Sequence, residues 1–333
     1  MANPTVSDVH VSAALSDLSV AYFNGDKNTI YDRVFPVIPV RKQGDKFYVY
    51  ERKDTLRSDA KYRAPGAEVE ISGWRVSTDT YFAERVALGH DIDDPTRANA
   101  DPALANLDAD AVQYITESIR IKNETDWVST FFATGVWDGA SSSTDMTGQA
   151  APASTTSNFR QWNDAASTPI EDIRGEIMSV AEKTGRKPTC LCLGAEVWRH
   201  LADHPDILDR IKYTERGVVT EDLLGSLLGL DSVLVSYQTS NEGAEGGTAS
   251  YDFVASKAAL LCFVPKSPGL RTPSAGYTFV WTGMAGTPAD GRGIRIKRYR
   301  LERNESDRIE GEQYRDYKVV GASLGAFFTS AVV

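Results

Sequence analysis

The chain has 333 residues, 41% hydrophobic and 25% charged, the proportions of an ordinary globular protein long enough for two domains or one elaborate one. A formal net charge of -10 excludes a strongly basic nucleic-acid clamp and a surface that clings to anionic membrane. Three cysteines, few and odd in number, exclude a disulfide framework and fit a reducing compartment.

Residues 1–45 carry no sustained helical period. The first basic side chain is Lys27 and no apolar run follows Met1, so no secretory signal is expected. VFPVIPV, with Pro36 and Pro39, must run extended and is barred from a central strand position. This segment reads as an arm held against something else. Next comes KFYVYERKDTLRSDAKYRAPGAEVEISGW, from Lys46 to Trp74. Phe47, Tyr48, Val49 and Tyr50 suit one strand, and Val69 and Ile71, alternating with Glu68, Glu70 and Ser72, suit a second. Between them Leu56 is the one aliphatic larger than alanine. Hairpin loops normally have two to five residues, so a finger this long calls for a function.

Around 101–134 a helical period takes over. Asp101 suits the N-cap and Pro102 the first turn; Ala103, Leu104, Leu107, Ala111, Ile115, Ile119 and Val128 fall at three- and four-residue spacing, and Gly135 ends the pattern. Roughly thirty residues make a rod of about 45 Å. DGASSSTDMTGQAAPASTTSN, residues 138–158, has little to bury and reads as a surface loop or linker. Alternating elements follow: a helix from Thr168 to Gly185, a buried strand PTCLCLG, a helix interrupted at His204-Pro205, a short helix TEDLLGSLLGL, and strands DSVLVSYQ and YDFVASKAALLCFV. They make a compact α/β unit at about 159–270. The remainder reads as long antiparallel strands around a polar turn at Arg303 to Glu305, with Ile294 and Ile296 facing in and Arg295 and Lys297 facing out. The final VVGASLGAFFTSAVV is shorter than the roughly twenty residues a membrane span needs, so it reads as a buried strand.

Candidate chemistry is sparse. Cys190 and Cys192 share one strand face, with His200 eight residues on, but a closed zinc site wants four ligands in paired spacings, so core cysteines are expected. His200 and His204 have a metal-capable spacing, yet Pro205 follows at once, and a surface helix end is expected. GxSxG is absent, and the glycines of TGMAGTPADGRG lack a phosphate-loop context. No catalytic, cofactor or metal site is expected. The finger charges Arg52, Lys53, Asp54, Arg57, Asp59, Lys61 and Arg63 would contribute only about 0–1 kcal/mol per exposed pair within one chain. Against complementary charges on another copy they would fix register, so they are the candidate inter-subunit contacts.

The order of parts resembles the major capsid proteins of tailed bacteriophages, with the Hong Kong 97-like fold also found in herpesvirus shells and encapsulins. VFPVIPVRKQGDKFYVYERKD resembles that family's run from arm into extended loop. RQWNDAASTPIEDIRGEI resembles the start of its axial domain, LCLGAEVWRHLADHPDILDRIKY its strand–helix segment, and YRDYKVVGASLGAFF its closing strand. The resemblance implies an α+β fold in five parts. They are an N-terminal arm at 1–45, an extended two-stranded loop at 46–78, a peripheral domain at 79–158 and 271–333, its spine helix at about 101–134, and an α/β axial domain at 159–270. It implies a subunit without enzymatic activity or cofactor that self-assembles through hexamers and pentamers to enclose double-stranded DNA, the finger lying over a neighbour. A protein nanocompartment shell of the encapsulin kind is the alternative. Implied partners are further copies of the chain, a separate scaffolding protein, a portal, a decoration protein and non-specifically contacted DNA, with no membrane. The place implied is the virion, after assembly in the host cytoplasm. Lys53 and Lys61 are available for the lysine–asparagine cross-link some relatives form, but nothing marks an acceptor, so salt-bridging is expected of them.

Overall fold

The computed structural model of the protein describes residues 10–11, 28–50, 56–99, 107–142, 144–151, 157–211, 219–241, 250–267, 269, 272–288 and 293–333. Two six-stranded sheets organise them, and β10 (Thr239–Asn241) and β11 (Tyr251–Phe253) pair as a separate two-stranded ribbon. In the first, β15 (Ser306–Val319) is the axis. It pairs antiparallel with β14 (Arg295–Leu301), β5 (Glu84–Asp93) and β13 (Gly276–Trp281). β1 (His10–Val11) adds to β14, and β2 (Val37–Val40) runs parallel beside β13 at the edge. The edge suits β2, because Pro39 has no N–H to donate to a ladder on both sides.

The second sheet runs β7 (Asn158–Arg160), β6 (Met146–Gln149), β16 (Gly325–Thr329), β12 (Ala259–Cys262), β8 (Cys190–Gly194), β9 (Ser232–Ser236). Every residue of β8 is buried, and the period-two alternation of strands sorts its side chains onto two covered faces. Leu191 and Leu193, with Val233, Val235, Leu261 and Phe328, pack under the helices. These are α3 (Pro169–Thr184), α4 (Ala195–Ala202), α5 (Pro205–Ile211) and α6 (Glu221–Leu228). α3 closes on Gly185, whose φ of 67° is left-handed, a conformation glycine adopts without steric cost. Cys190, Cys192, Leu234, Leu260 and Phe327 face the other way, against Tyr31, Phe35, Trp127 and Phe131.

Between the sheets runs α2 (Leu107–Phe131); its 25 residues span about 38 Å. A short α1 (Asp94–Asn99), which the sequence pattern did not foretell, precedes it. The N-terminal half of α2 lays Ala111, Val112, Ile115 and Ile119 on Ile294, Ile296 and Ile309 of the first sheet. Gly311 permits this approach, since a methyl there would overlap the Ile115 side chain. The C-terminal half carries Trp127 and Phe131 to the second sheet. Between these two contacts, buried Glu124 accepts hydrogen bonds from the backbone N–H groups of Ile30 and Tyr31, each at 3.0 Å, and from Ser236 Oγ at 2.6 Å. Arm, helix and second sheet therefore meet at one carboxylate.

Several expectations need correction. The helix occupies 107–131 of the expected 101–134; Asp101, Pro102, Ala103 and Leu104 lie outside the described residues. Residues 68–72 form no strand. The return strand of the finger is β4 (Val76–Phe82), paired with β3 (Gly44–Tyr50), because among the described residues the Val69/Ile71 alternation has no partner strand to satisfy its backbone. The described residues of 138–158 are not a free surface loop. Ala140 and Met146 are buried, β6 completes the second sheet beside β16, and Ser141 donates from both its N–H and its hydroxyl to Glu176, each at 2.7 Å. The described part of the arm rests on the chain itself, with Ile30, Tyr31, Val34 and Phe35 buried. Arg295 and Lys297 do lie opposite Ile294 and Ile296, yet they are covered. Buried Glu312 pairs with Arg295, with Lys297 at 2.6 Å and with Arg85 at 2.8 Å. Despite burial, these three cations hold the Glu312 carboxyl below its usual range. His204 is not a surface helix end either. It is buried, accepts from Asp206 N at Nδ1 (3.1 Å), and places Nε2 2.9 Å from Ser167 Oγ and 3.1 Å from the Asp164 carbonyl. The terminal segment does fold as a buried strand, β16. Among the described residues no helix is long and apolar enough to cross a membrane.

Candidate assembly interface

The finger rises from a rigid base. β3 and β4 pair from Gly44 opposite Phe82 to Tyr50 opposite Val76. The Tyr81 ring stacks on Phe279 of β13 with centroids 4.6 Å apart, and Phe47 lies 5.3 Å from the same ring. Gln43 and Ala83 exchange hydrogen bonds, the Ala83 N–H donating to the Gln43 carbonyl and Gln43 Nε2 to the Ala83 carbonyl. Asp316 accepts from the Phe82 N–H at 2.8 Å. The root of the finger is thus fixed to the first sheet by packing and by hydrogen bonds of high sequence separation.

Above the root support ceases. Described residues 56–75 contain no strand or helix, and nearly all are exposed. Leu56 comes near the body, within 3.8 Å of where a Cβ on Gly185 would sit, and it is still 60% exposed. Tyr62, Val69, Ile71 and Trp74 stand in solvent, Ile71 at 94% exposure and Trp74 at 68%. Large apolar side chains scattered singly over a surface are common, but four on one segment without secondary structure make it a candidate interaction surface. Each would contribute about 1.5–3 kcal/mol if a partner covered it fully.

The charges predicted as contacts divide into three sets. Arg52, Lys53 and Asp54 lie outside the described residues. Arg57 lies 3.6 Å from Asp59, and Lys61 lies 2.7 Å from Glu70; Asp59 also accepts from Ser72 Oγ. These pairs sit within the finger and are exposed, so they add little to its rigidity. Arg63 is exposed and makes no ion pair with any described residue. The charges are legible in the sequence as candidate contacts, but the apolar quartet is not, because Val69 and Ile71 alternate with polar residues just as a paired, half-buried strand does.

No family model matches the chain. Two curated relatives are named major capsid protein. That of Burkholderia phage BcepMu is 27% identical over 282 residues, covering 80% of this chain and 82% of the relative. That of Pseudomonas phage JBD67 is 25% identical over 330 residues, covering 97% of both. Among solved structures, a phage-related protein of Bordetella bronchiseptica superposes with a TM-score of 0.71 at 19% identity, over 97% of this chain and 98% of that one. The mature capsid of bacteriophage PhiM1 gives 0.56 at 11% identity, over 90% and 86%. The SrpI encapsulin of Synechococcus elongatus gives 0.53 at 12% identity, over 99% and 92%. The overall fold is thus a known one, and the chain is similar in sequence to the major capsid proteins of two bacteriophages and in fold to phage capsid structures of the Hong Kong 97-like kind.

Proposed function

We propose that copies of this chain assemble through hexamers and pentamers into a closed shell around double-stranded DNA, each copy seating its finger, residues 46–78, on a neighbour. The observation that carries this reading is the row Tyr62, Val69, Ile71 and Trp74, exposed on a segment with no core beneath it. Head-to-tail contacts of this kind close into rings when a rotation axis relates the copies. The body built on the first sheet and α2 plays the part of the peripheral domain, and the body built on the second sheet that of the axial domain. Strands 146–149 and 325–329, paired within the second sheet, extend the latter beyond residues 159–270. The finger charges, Arg52, Lys53, Asp54, Arg57, Asp59, Lys61 and Arg63, set register against the neighbour rather than supplying most of the affinity. A scaffolding protein, a portal and a decoration protein complete the particle, which forms in the host cytoplasm. With a net charge of -10, the packaged DNA is contacted loosely and without sequence preference.

The test is electron microscopy and sedimentation of the purified chain, with any assembly helper supplied. Replacing Val69, Ile71 and Trp74 by Ser should leave a folded subunit that forms no particles. Reversing Arg52, Arg57 and Arg63 to Glu should make particles scarce or salt-sensitive. Normal shells from the apolar triple variant would refute the finger's role. The encapsulin likeness offers a second reading, a shell around protein cargo; particles that copurify with one defined protein and no nucleic acid would favour it.

A further inference from the structure

Three thiols that play no part in the assembly surface converge in the interior. β12 pairs antiparallel with β8, which sets Cys262 opposite Cys190. Alternation along β8 turns Cys192 to the same face, and its Sγ lies 3.8 Å from that of Cys190. All three sulfurs lie within 4.8 Å of one another and none is in a disulfide. A thiolate–metal bond of about 2.3 Å puts the sulfurs of a trigonal site roughly 4 Å apart. The spacing already present is therefore close to that of a three-coordinate centre. Among the described residues this is the one set of three metal-capable side chains so disposed.

The cluster is buried. A surface cavity of about 570 Å³ is lined by Cys190 together with Arg33 and Lys266 and with the carboxylates Asp32 and Asp231. Arg33 and Lys266 would partly offset the negative charge that three thiolates bring, a charge costly to bury alone.

We propose that Cys190, Cys192 and Cys262 form a binding site for a soft, thiophilic cation. A divalent ion displaces three protons from three thiols and leaves a tris-thiolate complex of charge minus one, with no change of oxidation state. Thiolate ligands select soft ions, so magnesium and calcium should not compete.

Cadmium is a suitable probe, because its thiolate complexes absorb in the ultraviolet by charge transfer. Titrating the full, reduced chain should give a saturable band at one ion per chain, with three protons released, unaffected by excess magnesium. Cys190→Ser, Cys192→Ser and Cys262→Ser should each weaken binding by at least about tenfold. Wild-type affinity in Cys262→Ser, or a band only after denaturation, would overturn the assignment. Should a serine variant fail to fold, the wild-type chain still decides. Cadmium must raise its Tm in proportion to site occupancy, and an unchanged or lowered Tm would count against the site.

Discussion

Replacing Glu124 by Gln removes one negative charge from the point where arm, helix and second sheet meet, while keeping the shape of the side chain. Burial, working against the hydrogen bonds from Ser236, Tyr31 and Ile30, raises the carboxyl from 4.5 to about 7, with nearby Asp32 adding to the rise. Below pH 4.5 the folded and unfolded chains both hold the proton, and the group is neutral to stability. Between about 4.5 and 7 the unfolded chain ionises first, so stability falls as pH rises; above about 7 the full penalty persists. The gap between 4.5 and about 7 corresponds to about 3 kcal/mol. Glutamine can accept the two backbone N–H groups through its oxygen and donate to Ser236 Oγ, so every partner stays satisfied. Glu124→Gln should match the wild type within about 1 kcal/mol at pH 5 and exceed it by about 2–3 kcal/mol at pH 8. Glu124→Ala should lose stability at both, because buried donors left unpaired cost about 1–3 kcal/mol each. Urea denaturation followed by tryptophan fluorescence is the assay, with buried Trp127 one turn from the substitution. A Gln variant no more stable than the wild type at pH 8, or a wild type with no decline from pH 5 to 8, would refute the reasoning.

Other outcomes follow from the packing. Gly311→Val drives a side chain into Ile115 and should cost about 1–3 kcal/mol by overpacking, read from the urea midpoint. Glu312→Ala strands Arg295 and Lys297, while Arg85 keeps Glu310, and should cost about 3–5 kcal/mol at pH 7. Because the folded-state value of Glu312 is depressed, its contribution should also fade as pH drops through the carboxylate range, measurable as a falling urea midpoint. Deleting residues 146–149 removes a strand paired to both β7 and β16 and should abolish soluble expression; a well-expressed deletion would mean the strand is dispensable.

Much of the fold was legible because its signals are local. The α3 stop at Gly185, the break between α4 and α5 at Pro205, and the two-faced strand CLCLG all follow from residue chemistry and short-range periodicity. What the sequence concealed depends on partners distant along the chain. Ser- and Gly-rich residues 138–158 look unburiable until Glu176 and β16 are beside them. Arg295 looks exposed until Glu312 covers it. Ile71 looks like half of a strand, although the described structure offers it no neighbour. Cys262, 70 positions beyond Cys192, could join the other thiols only through the pairing of β12 with β8.

Strand β16 has a consequence for biosynthesis. Residues 325–329 lie inside the second sheet, between β6 and β12, so a ribosome must pass codon 329 before that sheet can knit together. A partly translated chain offers siblings no finished platform, and polymerisation is deferred until each monomer has been made through β16. Chains cut short upstream of that strand should be discarded as unfolded debris instead of poisoning a growing shell.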